Sequence, residues 1–132
     1  MKKKIFINNI KTFLEERREI QFVYLFGSFL EGDAFRDIDL AIYIDEADIN
    51  TQDKFYEIEL STQLERIVKI PVDIIILNHA PCAIVFRASK GMLLKNIDDD
   101  IRIHFITLNW KKYWDLKPML LYHMQERKYG SQ

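Results

Sequence analysis

The chain has 132 residues, 48% hydrophobic and 30% charged, with a net charge of −1, a balance that fits one soluble globular domain. That charge excludes a large basic field directed at nucleic acid. No run is apolar long enough to span a bilayer, and the first residues lack the long apolar segment of a secretory leader. The one cysteine, Cys82, excludes an internal disulfide, fits a reducing cytoplasm, and lies in an apolar run that predicts a buried structural thiol.

Phe6, Ile10, Phe13 and Leu14 recur at helical spacing and predict an amphipathic first helix ending near Arg18. Phe22 to Phe26 is an aromatic and β-branched run that stops at Gly27, the pattern of a buried strand. Gly32-Asp33 supplies a turn, and Asp39 to Ile44 reads as a second strand. Thr51 to Lys69 predicts a helix with Tyr56, Leu60, Leu64 and Ile67 on one face and Asn50 or Thr51 as its N-cap. Val72 to Leu77 is a third strand, an apolar run interrupted by Asp73. Pro81 suits the first turn of a short helix reaching Ser89, and Met92-Leu93-Leu94 predicts an edge strand. Asp98-Asp99-Asp100 places negative charge at the start of a last long helix, which Pro118 should kink or restart. The alternation predicts an α/β fold: a small mixed sheet packed with helices, in a single domain over 1–132 that includes a helical tail over 98–128.

Chemistry concentrates in two short segments, Phe26-Gly27-Ser28 and Arg36-Asp37-Ile38-Asp39. A glycine straight after a strand lets the backbone approach a phosphate without a Cβ clash. Ser28 offers a hydroxyl and an N–H at an expected helix start, where anions are favoured. Asp37 and Asp39, two apart on extended backbone, point the same way, and Asp73 completes a carboxylate triad if the strands are neighbours. Such a cluster repels itself unless a hard cation fills it. All-oxygen ligation points to Mg²⁺ or Mn²⁺, and two ions could clamp the oxygens of an in-line phosphoryl displacement. The spacing of His79, His104 and His123 forms no zinc pattern, and phosphate-loop and dinucleotide-binding glycine motifs are lacking.

A strand, Gly-Ser, a short gap, Asp-x-Asp opening a second strand and an Asp on a third together resemble the polymerase-β-like nucleotidyltransferases. Within that superfamily the chain is similar to the minimal nucleotidyltransferase (MNT) antitoxins that accompany HEPN-domain toxins. The resemblance implies that Gly27 and Ser28 hold the β- and γ-phosphates of ATP. It implies that Asp37, Asp39 and Asp73 bind two Mg²⁺ ions, and that Asp73 also helps activate the acceptor hydroxyl. It further implies transfer of AMP from ATP to a tyrosine hydroxyl of a cognate HEPN toxin. The alternative is an antitoxin that neutralises by binding alone, within a homo- or hetero-oligomer. Two features depart from the family pattern. Eight residues separate Ser28 from Asp37, fewer than is usual, and Glu31 stands where many members carry an arginine. Arg36 is the expected replacement phosphate contact. The apolar and aromatic residues crowding the tail, Leu120 and Met124 among them, either pack the last helix against the domain from two sides or form a protein interface. Trp110, Trp114 and Tyr122 are the expected anchors of such an interface, with Arg127 and Lys128 on a basic edge.

Overall fold

A computed structural model describes residues 2–32 and 36–130, apart from the side chains of 2, 120 and 123–130. Along the chain lie α1 (Lys2–Glu15), β1 (Ile20–Phe26), α2 (Ser28–Glu31), β2 (Ile38–Ile44), α3 (Tyr56–Val68), β3 (Val72–Ile76), α4 (Cys82–Ser89), β4 (Met92–Asn96) and α5 (Asp99–Gly130). Short 3-10 turns occupy Ile49–Gln52 and Leu77–His79. The four strands form one sheet in the order β3-β2-β1-β4. β1 runs antiparallel to both β2 and β4, while β2 and β3 are parallel. The sheet is therefore mixed, as the alternation of elements implies.

β1 is apolar at almost every position because both of its faces are covered. Its period of two sends Val23 and Leu25 to one side and Phe22, Tyr24 and Phe26 to the other. The first side is an aliphatic layer in which Ile38, Leu40, Ile42 and Ile44 of β2 meet Ile10 and Leu14 of α1 and Leu60 and Leu64 of α3. The second is more aromatic: Phe22, Tyr24, Phe26 and Ala41 pack with Val85 and Ala88 of α4 and with Phe105 and Ile106 of α5. Fully burying one such aliphatic or aromatic side chain contributes about 2 kcal/mol. The two-sided core thus fixes the sheet more firmly than any single cap.

Several boundaries differ from the sequence expectation. α1 ends at Glu15 rather than near Arg18, and β1 begins two residues early, at Ile20. α3 starts at Tyr56, not Thr51, because Asp48 and Asp53 organise the preceding turns. Asp48 accepts a hydrogen bond from the Asn50 N–H and Asp53 accepts one from the Phe55 N–H, each at 2.9 Å. Neither Asn50 nor Thr51 caps the helix. The buried face of α3 ends with Val68, completing the spacing of Tyr56, Leu60 and Leu64, and Ile67 is exposed. Cys82 is half-buried at the start of α4 rather than buried. Asp98 caps α5 by accepting from the Asp100 N–H at 2.8 Å. α5 continues through Pro118 without restarting. The carbonyl that Pro118 leaves without a helical donor belongs to exposed Trp114, where water can satisfy it. The expected Gly32-Asp33 turn lies partly outside the described residues, as do the side chains of Leu120, Met124, Arg127 and Lys128.

Candidate functional site

The site is built where β1 ends and β2 and β3 begin. Pairing sets Phe26 opposite Asp39, and Asp39 in turn opposite Asp73. Along β2 the residues Ile38 and Leu40 enter the aliphatic layer, so Asp39 points to the other face, with Phe26 and Ala41. Asp37, two residues earlier, shares that parity. As a result Asp37, Asp39 and Asp73 each offer a carboxylate oxygen, and the three oxygens lie within 4.8 Å of one another. Asp37 and Asp39 are half-buried and Asp73 is exposed. This is the grouping anticipated from the sequence.

The cluster is electrostatically strained. One pair of carboxylates about 4 Å apart repels by roughly 4 kcal/mol at an effective dielectric near 20. Asp39 registers this strain: partial burial pushes its carboxyl above the usual carboxylate range, and the charges of Asp37 and Asp73 push it further. The charge of Arg87 acts in the opposite direction. The donor set is three hard oxygens with one side open to solvent through Asp73. That suits a divalent cation which keeps water or phosphate oxygens in its remaining positions.

Gly27 has two reasons to be glycine. Its φ is +84°, in the region that residues with a Cβ rarely adopt. A Cβ built there would also run into the Asp39 carboxylate. The backbone thus passes against the acidic cluster, an approach only glycine permits. Ser28 opens α2, a single helical turn. So short a helix has a much smaller dipole than the sequence argument assumed, which leaves local N–H groups and the hydroxyl as its means of contacting an anion. The Ser28 hydroxyl lies 3.5 Å from Asp37 Oδ1, long for a hydrogen bond.

Arg36 is exposed. The arginine whose charge acts on Asp39 is Arg87 of α4, which the sequence reading passed over. Arg87 and Lys90 line a cavity of 270 Å³ together with Phe26, Gly27 and Glu31. The departure at Glu31 therefore brings an acid into a cavity that two cations from another element also reach. Only the packing of α4 against β1 brings Arg87 to the site, and no local motif announces it. His79, which the sequence assigns no zinc role, is exposed and pairs with Glu46 at 2.9 Å. In the tail, Trp110 donates a hydrogen bond to the Ser89 hydroxyl at 2.6 Å and packs on Phe86. It anchors α5 to α4 and so is committed within the fold. Trp114 and Tyr122 are 51% and 60% exposed, which leaves them as candidate partner anchors.

Comparison with known proteins places this geometry in context. A family profile described as "Polymerase beta, Nucleotidyltransferase" matches residues 8–100. Among solved structures, a toxin–antitoxin crystallised with AMP-PNP is similar with a TM-score of 0.75 and 25% identity, over 92% of this chain and 98% of that one. A complex of a tri-AMPylated Shewanella oneidensis HEPN toxin with its MNT antitoxin gives a TM-score of 0.74 at 23% identity, over 96% and 98% of the two chains. The MntA–HepT toxin–antitoxin gives 0.72 at 22% identity, over 95% and 98%. No curated protein sequence matches the chain. Among the described residues, no helix is long and apolar enough to cross a membrane.

Proposed function

Because the chain belongs to the polymerase-β nucleotidyltransferase family, we propose that it is a cytoplasmic MNT antitoxin that transfers AMP from ATP to a tyrosine hydroxyl of a cognate HEPN toxin. The observation that carries this reading is the set of three carboxylates within 4.8 Å, beside a glycine whose backbone lies against them. The likeness to the AMP-PNP structure and to the tri-AMPylated HEPN toxin complex supports the choice of nucleotide and acceptor.

In this reading Asp37, Asp39 and Asp73 would hold two Mg²⁺ ions. Bound metal would supply positive charge to the oxygens that become more negative in the transition state. Gly27 and Ser28 hold the β- and γ-phosphates through backbone N–H groups and the serine hydroxyl. A new bond forms between the tyrosine oxygen and the α-phosphorus. The bond from that phosphorus to the oxygen bridging to the β-phosphate breaks, and pyrophosphate leaves with the electron pair. Asp73, the exposed member of the cluster, accepts the tyrosine proton, since its open side is the one an acceptor can reach. A cation held by these carboxylates would offset their mutual repulsion, so the residues are arranged for a charged complex.

A second reading, neutralisation by masking alone, draws support from the exposed apolar residues of the distal part of α5, including Trp114, Met119, Leu121 and Tyr122. Co-expression with the HEPN-domain partner separates the two readings through the intact mass of the purified partner and a growth assay. The enzyme reading expects added AMP with the wild type. It also expects a transfer rate reduced roughly 1,000-fold or more by Asp37→Asn/Asp39→Asn, the scale on which losing preorganised electrostatic groups is felt. That variant should still co-purify with the partner, whereas Trp114→Ala should not, because aromatic anchors dominate interface energy. An unmodified partner beside full protection by the double variant would leave masking as the function.

A further inference from the structure

Glu31 raises a problem that the proposed function does not answer. A triphosphate beside Gly27 would meet the carboxylate of Glu31, which lines the same cavity. The cavity at that point also carries the opposite charge, from elsewhere in the chain. Arg87, in the last turn of α4, and Lys90, the residue that caps its C-terminus, line it with Gly27 and Glu31. Residues three apart share a helix face, and here that face looks onto the end of β1.

Three features suggest that these cations are available to a ligand. Among the described residues the ion pairs are Arg17–Glu19, His79–Glu46 and Arg102–Asp99, and neither Arg87 nor Lys90 takes part in one. Both side chains are nevertheless oriented by packing. The Arg87 guanidinium lies 5.9 Å from the centroid of the Phe26 ring, and Lys90 Nζ lies 4.2 Å from that of Phe86. Contacts of this kind leave the N–H groups free to donate elsewhere. Finally, Gly27 connects the two halves of the site. It lines the cavity, while the position a Cβ would take on it falls on the Asp39 carboxylate. A polyphosphate held at one end by metal on the carboxylates can therefore cross Gly27 and continue into the 270 Å³ cavity.

We propose that Arg87 and Lys90 form the pocket for the β- and γ-phosphates, and hence for departing pyrophosphate, offsetting the charge of Glu31. Arg87 supplies a planar fork that can bind two phosphate oxygens at once, and Lys90 supplies a mobile point charge. Glu31 sets a limit on their strength, since it shares the cavity and lowers its net positive charge. This inference rests on the nucleotidyltransferase reading and assigns the polyphosphate end of the same site.

The test compares the binding of Mg-AMP-PNP and Mg-AMP by calorimetry in the wild type, Arg87→Gln, Lys90→Gln, the double variant and Glu31→Gln. Glutamine keeps much of each aliphatic stem, and a folded circular dichroism spectrum qualifies each variant. The double variant should bind AMP-PNP at least tenfold more weakly, while its affinity for AMP stays within twofold of wild type. Glu31→Gln should tighten AMP-PNP binding severalfold and leave AMP unchanged. Inorganic pyrophosphate should compete with AMP-PNP on the wild type and fail to compete on the double variant. Wild-type AMP-PNP affinity in the double variant would overturn the pocket while leaving the nucleotidyltransferase reading intact. Equal losses for AMP and AMP-PNP would overturn it as well, by placing the cations elsewhere on the nucleotide. Absence of nucleotide binding by the wild type would overturn both readings.

Discussion

Two groups of acids in this molecule are treated in opposite ways. Glu19, 5% exposed at the entry to β1, is surrounded by partners. The Tyr56 hydroxyl donates to it at 2.8 Å, Arg17 stands 3.9 Å away, and the charge of Lys95 is close enough to interact with it. Lys95 is itself tied down, donating to the carbonyls of Leu14 and Arg17 at 2.7 and 2.6 Å. At the other end of the same sheet Asp37, Asp39 and Asp73 face one another, with the positive charge of Arg87 acting on Asp39. A buried charge that serves the fold is supplied with donors from the chain itself. A cluster of like charges is held at an electrostatic cost, which a bound cation would offset. That contrast separates an acid satisfied within the fold from acids that face one another.

The contrast predicts opposite signs for removing charge at the two ends. Glu19→Ala strands the Tyr56 hydroxyl and leaves Arg17 and Lys95 without their acid, so it should destabilise the protein by about 3 kcal/mol. Chemical denaturation would measure this, and a loss below about 0.5 kcal/mol, within the range of ordinary surface substitutions, would mean that water replaces Glu19 and the comparison fails. Tyr56→Phe is the milder version. It removes one donor and leaves the Glu19 carboxylate short of a partner, with an expected cost of about 1–2 kcal/mol. Burial, followed by the hydrogen bond to Glu19, pushes the Tyr56 hydroxyl well above the usual tyrosine range. The phenol should therefore resist ionisation up to the alkaline unfolding transition, which ultraviolet difference titration would follow.

Much of this architecture is legible in the sequence. An apolar run ending at glycine marks β1 and one opened by Pro71 marks β3, and the order of Gly-Ser, Asp-x-Asp and a strand-borne Asp anticipates the cluster because strand parity is a local rule. What escapes depends on tertiary packing. Arg87 looks like an ordinary helix residue until α4 settles on Phe26, and Trp110 looks like a free aromatic until Ser89 and Phe86 receive it. Glu19 carries no motif, since apart from Arg17 its partners come from α3 and β4, far away in the chain. The start of α3 was displaced because Asp48 and Asp53 compete for the local N–H groups more effectively than Asn50 or Thr51 does.

The smallest expected effect tests the functional end of the comparison most directly, because its sign reverses that of Glu19. The folded-state pKa of Asp39 is raised, first by desolvation and then by Asp37 and Asp73. A carboxyl whose folded pKa exceeds its unfolded value binds its proton more tightly when folded. Its favourable contribution is therefore fully present below the unfolded pKa, near 3.9, and is lost as pH rises through the folded value. In metal-free protein held in chelator, Asp39→Asn removes the ionising group and should raise the melting temperature at pH 7. The gain should shrink toward zero as pH falls through the carboxylate range, where wild-type Asp39 is already neutral. Adding Mg²⁺ should reverse the ranking at neutral pH, since only the wild type can use its full negative charge to bind the ion, and ligand at about 100 times its dissociation constant stabilises by roughly 2.7 kcal/mol. Melting curves for the two proteins across pH, with and without Mg²⁺, decide the matter. A melting temperature that falls in Asp39→Asn under chelator at pH 7 would make Asp39 a structural acid like Glu19, held by partners within the chain.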